Sequence, residues 1–470
     1  MSPSSRHPLT DAVVARLHDN LRSIYGGRPW LSATDILQGA VWQARELTDL
    51  GAERVFALGA AMGTGDIDDT VPHAVLNVRG DGMMNAIRMS EAALGHLPAA
   101  LQARIDAWDP THQARVVRTI FSNGQPVAGR PCWGGRPEAW QALEDKTVVD
   151  ALWDRCGIPR ADSRVVPARP HALHDAHRAV DKGAGTVWAA DNRDGWHGGA
   201  TGLRWVRTAH HITEAAEWMA DHAHTVRIMP FLEGIPCSIH GIVFDDYVVA
   251  LRPCEMVVLR RPGTMHFKYA RAATFWDPPT PDRHAMRAMV RTVGAHLRET
   301  VGYRGVFTID GIMSADGFRP TELNPRFGAA IGVLSGALPN LHLYLVHLAI
   351  VERVDVDWRP PDLEAVLLHA ADTHRRGGAM QIIDTPVDTL RKADLVPDTT
   401  GWRVAKDDET PHARAMLGPA PSGGMLRVTF EPDHTPVGPP SAPLAVELLA
   451  FLAQHWQVDI GPLEAARPVR

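Results

Sequence analysis

Residues 302–328 read Gly302-Tyr-Arg-Gly-Val-Phe-Thr-Ile-Asp310-Gly-Ile-Met, then a polar turn from Ser314 to Gly317, then Phe318-Arg-Pro-Thr-Glu322-Leu-Asn324-Pro-Arg326-Phe-Gly328. Two strand-like runs joined by a short polar turn predict a β-hairpin. Glu322 and Asn324 stand two residues apart, so the alternation of side chains along a strand puts them on one face. Asp310, at the end of the opposing strand, is placed to meet them across the ladder. Two carboxylates and a carboxamide oxygen on one face make a hard-oxygen site, the type that holds magnesium when substrate phosphates and water complete the octahedron. Pro325 removes a backbone donor and ends the strand, and the planar fork of Arg326 suits a carboxylate or an acyl phosphate. The competing reading is an exposed hairpin with surface acids, and segments elsewhere in the chain decide between the two.

The whole chain supplies the setting. It has 470 residues, 48 Lys and Arg against 54 Asp and Glu, a net charge of −6, 45% hydrophobic and 22% charged residues. That is an ordinary globular balance, and at roughly 150 residues per domain the length suggests about two to four domains with ample core. A small stapled module is excluded. Mild acidity and the lack of a long Lys/Arg block argue against nucleic acid as a partner. Cys132, Cys156, Cys237 and Cys254 form no CxxC pair, so neither a zinc knuckle nor a redox motif is indicated. No apolar leader occupies Met1 to Gly27 and no run of about 18 apolar residues occurs, so the expected location is cytoplasmic, with no membrane.

Along the chain, Val13, Val14, Leu17, Leu21 and Ile24 recur at helical spacing between Thr10 and Tyr25, predicting an amphipathic helix. Arg54 to Gly59 looks like a buried strand that runs into the glycine-rich Gly59-Ala-Ala-Met-Gly-Thr-Gly65, as in a Rossmann-like unit. The glycines are not spaced GxGxxG, and Asp66, Asp68 and Asp69 follow at once, so a structural or substrate-facing loop is favoured over a dinucleotide site. Pro/Gly-rich stretches at Gly124–Pro137 and Arg359–Pro361 mark boundaries, dividing the chain into 1–137, 138–226, 227–358 and 359–470. The spacing predicts a helix over Glu138–Cys156 and strands over Ser163–Val166 and Thr186–Asp191. Beyond Leu363 it predicts strands over Glu364–His369 and Leu426–Phe430 and a helix over Leu444–His455. The arrangement is α+β.

Tyr303-Arg-Gly followed by Asp310, and Glu322-Leu-Asn324-Pro-Arg326, resemble the metal-binding hairpin of the ATP-grasp ligase superfamily. Upstream, Asp145-Lys146 leading to Gly157-Ile-Pro159 is similar to that superfamily's Asp-Lys helix. Thr186 to Gly202, with Trp196-His-Gly198-Gly199, resembles its strand and glycine flap. Val226-Arg-Ile-Met-Pro-Phe231-Leu232-Glu233-Gly234 resembles its adenine-holding hinge. These motifs span about Lys146 to Leu345 in the right order. The resemblance implies an ATP-grasp fold (α+β, α/β) with an N-terminal Rossmann-like pre-ATP-grasp domain and a small C-terminal extension, with ATP and Mg2+ as cofactors. It implies that Asp310, Glu322 and Asn324 bind the metal, that Arg326 faces the acyl phosphate, and that Lys146 contacts phosphate. Gly198 and Gly199 would close over the triphosphate; for His197, inside the flap, phosphate and solvent are both open, with solvent favoured. Arg193 stands where a lysine usually precedes the flap, and binding phosphate or capping a strand both stay open for it. Phe231 and Leu232 take the adenine-contacting positions. Met229 and Pro236 replace acids common there, leaving Glu233 as a substitute for the ribose contact.

Between hinge and hairpin, where such ligases place substrate contacts, Arg252, Arg260 and Lys268 could neutralise substrate carboxylates and Glu255 could attract an ammonium group; a solvated strand edge is the alternative. The Trp-His-Gly-Gly flap, the Met-Pro-Phe-Leu-Glu-Gly hinge and Leu368-His-Ala-Ala-Asp372 look like actinobacterial peptide ligases of the pheganomycin-synthase type. The function implied is an ATP-dependent carboxylate–amine ligase acting on amino acids or short peptides through an acyl phosphate, in natural-product biosynthesis, with an assembly of two copies left open. A nucleotide-binding regulatory protein without turnover and a phosphotransferase on the same fold are the alternatives.

Overall fold

In a computed structural model of the protein, residues 8–64, 67–120, 122, 124–195, 197–399 and 401–470 are described. Four sheets organise them. The first comprises β1 (Pro29–Ile36), β2 (Arg54–Ala61), β3 (His73–Val75) and β4 (Arg115–Arg118) in the order β3-β2-β1-β4, with every pairing parallel. Parallel strands need crossover connections, and the helix Leu37–Asp49 provides the one between β1 and β2. Gly59 is required by that packing: a methyl group there would stand 2.5 Å from Cα of Leu37. In the glycine-rich loop after β2, Gly65 and Asp66 lie outside the described residues. Asp68 is occupied by Arg45, whose Nε donates at 2.8 Å, and by Thr70, so it serves the loop itself.

The second sheet, β5 (Arg164–Pro167), β6 (Thr186–Ala190), β7 (Leu203–Val206) and β8 (Thr225–Pro230), is antiparallel in the order β5-β8-β6-β7. The helix expected over Glu138–Cys156 is broken into Glu138–Gln141, a 3-10 turn at Ala142–Glu144, and Val149–Arg155. Asp145 causes the break: its Oδ1 accepts from the Thr147 N–H (2.8 Å) and hydroxyl (2.6 Å), a local turn that competes with helix. Lys146 sits in this break.

The third sheet holds β9 (Ile235–Val243), β10 (Val248–Ala250), β11 (Cys254–Arg260), β12 (Phe267–Ala273), β13 (Gly305–Ser314) and β14 (Gly317–Asn324) in the order β12-β11-β9-β13-β14, with β10 beside β9. The helix Thr280–Val301 covers one face of it through Met286, Val290, Val293 and Leu297, all at most 1% exposed. The predicted hairpin is β13–β14. The fourth sheet, β15 (Gly378–Ile383), β16 (Arg391–Asp398), β17 (Gly401–Val404), β18 (Ala413–Ala420) and β19 (Gly423–Phe430), runs β15-β19-β18-β16-β17. The helix Ala442–Trp456 buries Leu448, Leu449 and Leu452 against it, each contributing about 1.5–3 kcal/mol.

The strand expected over Glu364–His369 is instead part of the helix Pro360–Thr373. Proline at its start pre-sets the first turn, and Leu363, Val366, Leu367, Ala370 and Ala371 are buried at the i, i+3, i+4, i+7, i+8 spacing of one helical face. The helix shares its core with the N-terminal helix Pro8–Tyr25. Among the described residues no helix is long and apolar enough to cross a membrane.

Candidate active site

A cavity of about 420 Å³ opens between the sheets, within the roughly 300–1,000 Å³ range of ligand pockets. Its floor is the β13–β14 hairpin. The register sets Asp310 opposite Glu322 and Thr308 opposite Asn324, and cross-strand partners share a face, so three oxygen-bearing side chains converge. Asp310 lies inside β13, which continues to Ser314, and not at its end as expected. Asn324 Nδ2 donates to Asp310 Oδ2 at 2.8 Å, and the Ser238 hydroxyl, from β9, donates to Oδ1. Lys146 Nζ donates to Glu322 Oε1 at 2.7 Å and reaches the His197 carbonyl at 3.4 Å. Arg326 Nη2 donates to Asn324 Oδ1 at 2.8 Å, while its Nε stands 3.2 Å from Glu144.

Charge accumulates on this floor. Burial, followed by the neighbouring Glu322 carboxylate, pushes the Asp310 carboxyl above its ordinary range, against the pull of Ser238, Arg326 and Lys146. Burial also pushes Glu144 upward, but Arg326 and Arg136 together hold it below its ordinary value, so Glu144 is a fixed anion anchoring both arginines. Among the described residues no group of three His, Cys, Asp or Glu could hold a metal. The donors on the floor are two carboxylates plus the Asn324 oxygen, which keeps a second lone pair beside the Arg326 bond. Such a set leaves several positions of an octahedron to water or ligand oxygens, as suits magnesium more than a full protein cage.

Much of the remaining lining is apolar. Phe231, Leu232, Met229, Met256, Val258 and Ile312 belong to it, and Phe231 stacks on Trp205 with ring centroids 4.1 Å apart and planes 17° apart. Arg260 lines the cavity with its guanidinium 5.0 Å from the Phe231 ring centre. His197, Gly198 and Gly199 also line the cavity, with the His197 carbonyl beside Lys146. Gly199 has φ +59° and abuts Met83, where a methyl group would stand 2.6 Å from Cε.

No family model matches the sequence, and neither does any curated protein. Solved structures do resemble the fold. A biotin carboxylase from Campylobacter jejuni, solved as a β,γ-ATP complex, has a TM-score of 0.54 at 11% identity, covering 95% of this chain and 94% of that one. The biotin carboxylase domain dimer of the Hydrogenobacter thermophilus 2-oxoglutarate carboxylase, solved with MgADP, ADP and bicarbonate, has a TM-score of 0.50 at 11% identity, covering 93% and 91%. The fold is that of the ATP-grasp enzymes.

Within this ATP-grasp fold the site residues expected from sequence divide. Lys146, Gly198, Gly199, Phe231, Leu232, Arg260, Asp310, Glu322, Asn324 and Arg326 all line the one cavity. Five others are placed elsewhere. Arg193 turns toward the end of the helix Ala209–His222, its Nη1 3.4 Å from the Ala220 carbonyl and 3.5 Å from that of Ala223, where a cation complements the helix dipole. Glu233 takes the Arg260 guanidinium through both carboxylate oxygens, one at 3.1 Å, so it orients Arg260 and offers no carboxylate to the cavity. Arg252, 1% exposed, is bound to Asp372 at 2.9 Å, to Asp277, and to the Thr274 and Trp276 carbonyls at 3.0 Å. Glu255, also 1% exposed, accepts from the Ser441 N–H and hydroxyl (2.6 Å each) and the Ala442 N–H (2.9 Å), tying down the start of the C-terminal helix. Lys268 falls between Phe267 and Tyr269, which line the cavity, and strand alternation points it to the other side.

Trp196, next to the glycines at 198 and 199, lies outside the described residues. His197 folds back, its Nε2 3.0 Å from the Asp191 carbonyl; burial and the Lys146 charge lower its pKa. Ser238 and His240 escaped the sequence reading. They sit two apart on β9 opposite Asp310 and Thr308, and His240 Nδ1 lies 2.8 Å from the Thr308 hydroxyl. The period-two signal was present there, but only pairing with β13 gives it meaning. Tyr269 and Met380 were missed because their strands reach the cavity through tertiary packing alone.

Proposed function

We propose that this chain is an ATP- and magnesium-dependent ligase that joins a carboxylate to an amine, taking amino acids or short peptides as substrates and serving the biosynthesis of a peptide product. The observation that carries the reading is the hairpin register, which stacks Asp310, Glu322 and Asn324 beside Lys146 and Arg326 in a cavity whose remaining lining is largely apolar. The two biotin carboxylase structures with this fold hold an ATP analogue or MgADP, which supports a nucleotide here.

Asp310, Glu322 and Asn324 would hold magnesium, whose charge neutralises phosphate oxygens when bound. Phe231, Leu232 and Met256 offer a flat apolar berth for a heteroaromatic base. Lys146 supplies positive charge toward phosphates, and the glycines at 198 and 199 let backbone N–H groups approach anionic oxygens closely. The chain's own work is to bring two anions together in line and to exclude water. A carboxylate oxygen of the acid substrate bonds to the terminal phosphorus while the bond to the ADP oxygen breaks. The amine then attacks the acyl carbon, inorganic phosphate leaves, and the amine proton passes to phosphate or solvent. Arg326, held in place by Glu144, faces the anionic intermediate. No protein nucleophile takes part.

An ADP-release screen of the full chain with amino acids, offered singly and in pairs, tests this reading. Release that requires both an acid and an amine is the expected result. Release with one hydroxyl acceptor alone would establish a phosphotransferase, and Mg-ATP binding without any release would establish a protein without turnover.

A further inference from the structure

Three arginines near the cavity-lining residues Tyr269 and Met380 have no acid to answer them. Arg271 lies on β12, Arg376 immediately precedes β15, and Arg427 lies on β19. Among the described residues none of the three side chains has an ion-pair partner or donates a hydrogen bond, whereas their neighbours Arg252, Arg283 and Arg375 share Asp277 and Asp372.

The fold brings the three near one another, so that the charges of Arg427 and Arg376 act on Arg271. β11 and β12 slip register between Val257 and Val258, whose partners are Arg271 and Tyr269, so Ala270 is the extra residue of a bulge. Arg271 itself has φ +139°, a conformation rare for a side chain with a Cβ. Bulges of this kind re-aim side chains next to functional sites. Tyr269, on the other side of the bulge, lines the cavity. Arg427 is the cross-strand partner of Met380, which also lines the cavity, and paired residues share a face. Arg376 is fastened to the end of β12 by its backbone, with its N–H donating to the Thr274 hydroxyl at 2.9 Å. Its guanidinium lies against Gly336, where a methyl group would stand 2.6 Å from Nη1. Burial, then the charges of Arg427 and Arg376, hold Arg271 below the ordinary arginine range, and burial does the same to Arg376 and Arg427. Half-buried like charges without counter-ions are costly, and an anion seated among them removes that cost.

We propose that Arg271, Arg376 and Arg427 hold a second oxyanion of the acid substrate, separate from the carboxylate that is activated, so that this substrate carries a further carboxylate or a phosphate ester. The proposal rests on the ligase reading for the word substrate, while the anion site is measurable without nucleotide. Isothermal titration of the full chain with glutarate and with inorganic phosphate, in the absence of ATP, is the test. At least one probe binds the wild-type protein, and Arg427→Met and Arg376→Gln each weaken that binding by about tenfold or more, with Arg427→Lys intermediate. Preference for glutarate identifies a carboxylate and preference for phosphate identifies a phosphate ester. Thermal unfolding checks that each variant is folded; with two independent arginines removed, loss of fold in one leaves the other to decide. Affinities unchanged in a folded variant, or no uptake of either probe by the wild type, overturn the site. A separate Mg-ATP titration keeps the two readings apart: its failure with anion uptake intact sinks the ligase, and its success with anion uptake absent sinks the anion site alone.

Discussion

The β13–β14 hairpin and the stretch from Arg252 to Lys268 carry charged side chains in similar density, and the protein uses them in opposite ways. Every acid or amide picked out on the hairpin faces the cavity. Of the four charges picked out on the other stretch, only Arg260 does; Arg252 and Glu255 are locked into the packing of neighbouring segments, and Lys268 points away. The difference is coverage. Alternation along a strand says which side chains share a face, and what lies over that face is decided by elements far away in sequence. The start of the helix Ala442–Trp456 sits over Glu255, whereas Glu322 keeps its place in the cavity wall with the Lys146 ammonium against it.

The contrast can be broken most severely at Asp310. Replacing it with Asn removes one of the two floor carboxylates, and turnover is expected to fall by at least about 10²-fold with the thermal midpoint maintained or raised, because a buried, crowded charge is removed. ADP release and calorimetry read the two quantities. Glu255→Ala is expected to do the reverse. It strands three donors in the interior, so urea denaturation should show a loss of about 2–4 kcal/mol, while Mg-ATP affinity in the remaining folded protein stays unchanged.

A gentler test uses pH. His347 is buried, its Nδ1 accepts the Val306 N–H at 3.0 Å, and burial lowers its pKa to about 3. The unfolded chain binds that proton near pH 6.5 and the folded one only near 3, so the stability it supports is complete above pH 6.5 and drains away as pH falls through that window. His347→Gln should flatten the acid limb of a stability–pH curve measured by denaturant titration. The smallest effect is expected at Arg193→Ala, which should cost about 0.3–1 kcal/mol through the helix end it caps and leave ADP release unaltered. A large loss of turnover there would return Arg193 to the phosphate site.

Much of the architecture was legible in the chain. The hairpin, the Rossmann-like strand, the C-terminal helix and strand β19 all appeared as periodic apolar patterns of ordinary length. The failures have physical causes. Leu363 to Ala371 reads as a short apolar run, for which strand and helix differ only in what they pack against. Asp145 breaks a helix through a side-chain turn that propensity does not weigh. In the cavity wall, the shared face of the hairpin triad was legible because alternation along a strand is local, while Lys146 was reached only through a resemblance to a family motif. Ser238, His240 and Tyr269 were not legible, because each acts only across a ladder or a domain boundary.

By itself, then, the sequence determined that β13 and β14 pair and that Glu322 and Asn324 share a face. These follow from side-chain periodicity and turn chemistry, which operate over a few residues. Which charges reach the cavity, which are spent on packing, and which arginines are left without a counter-ion were decided by the tertiary structure alone, because burial and partnering are properties of segments that meet only after the chain has folded.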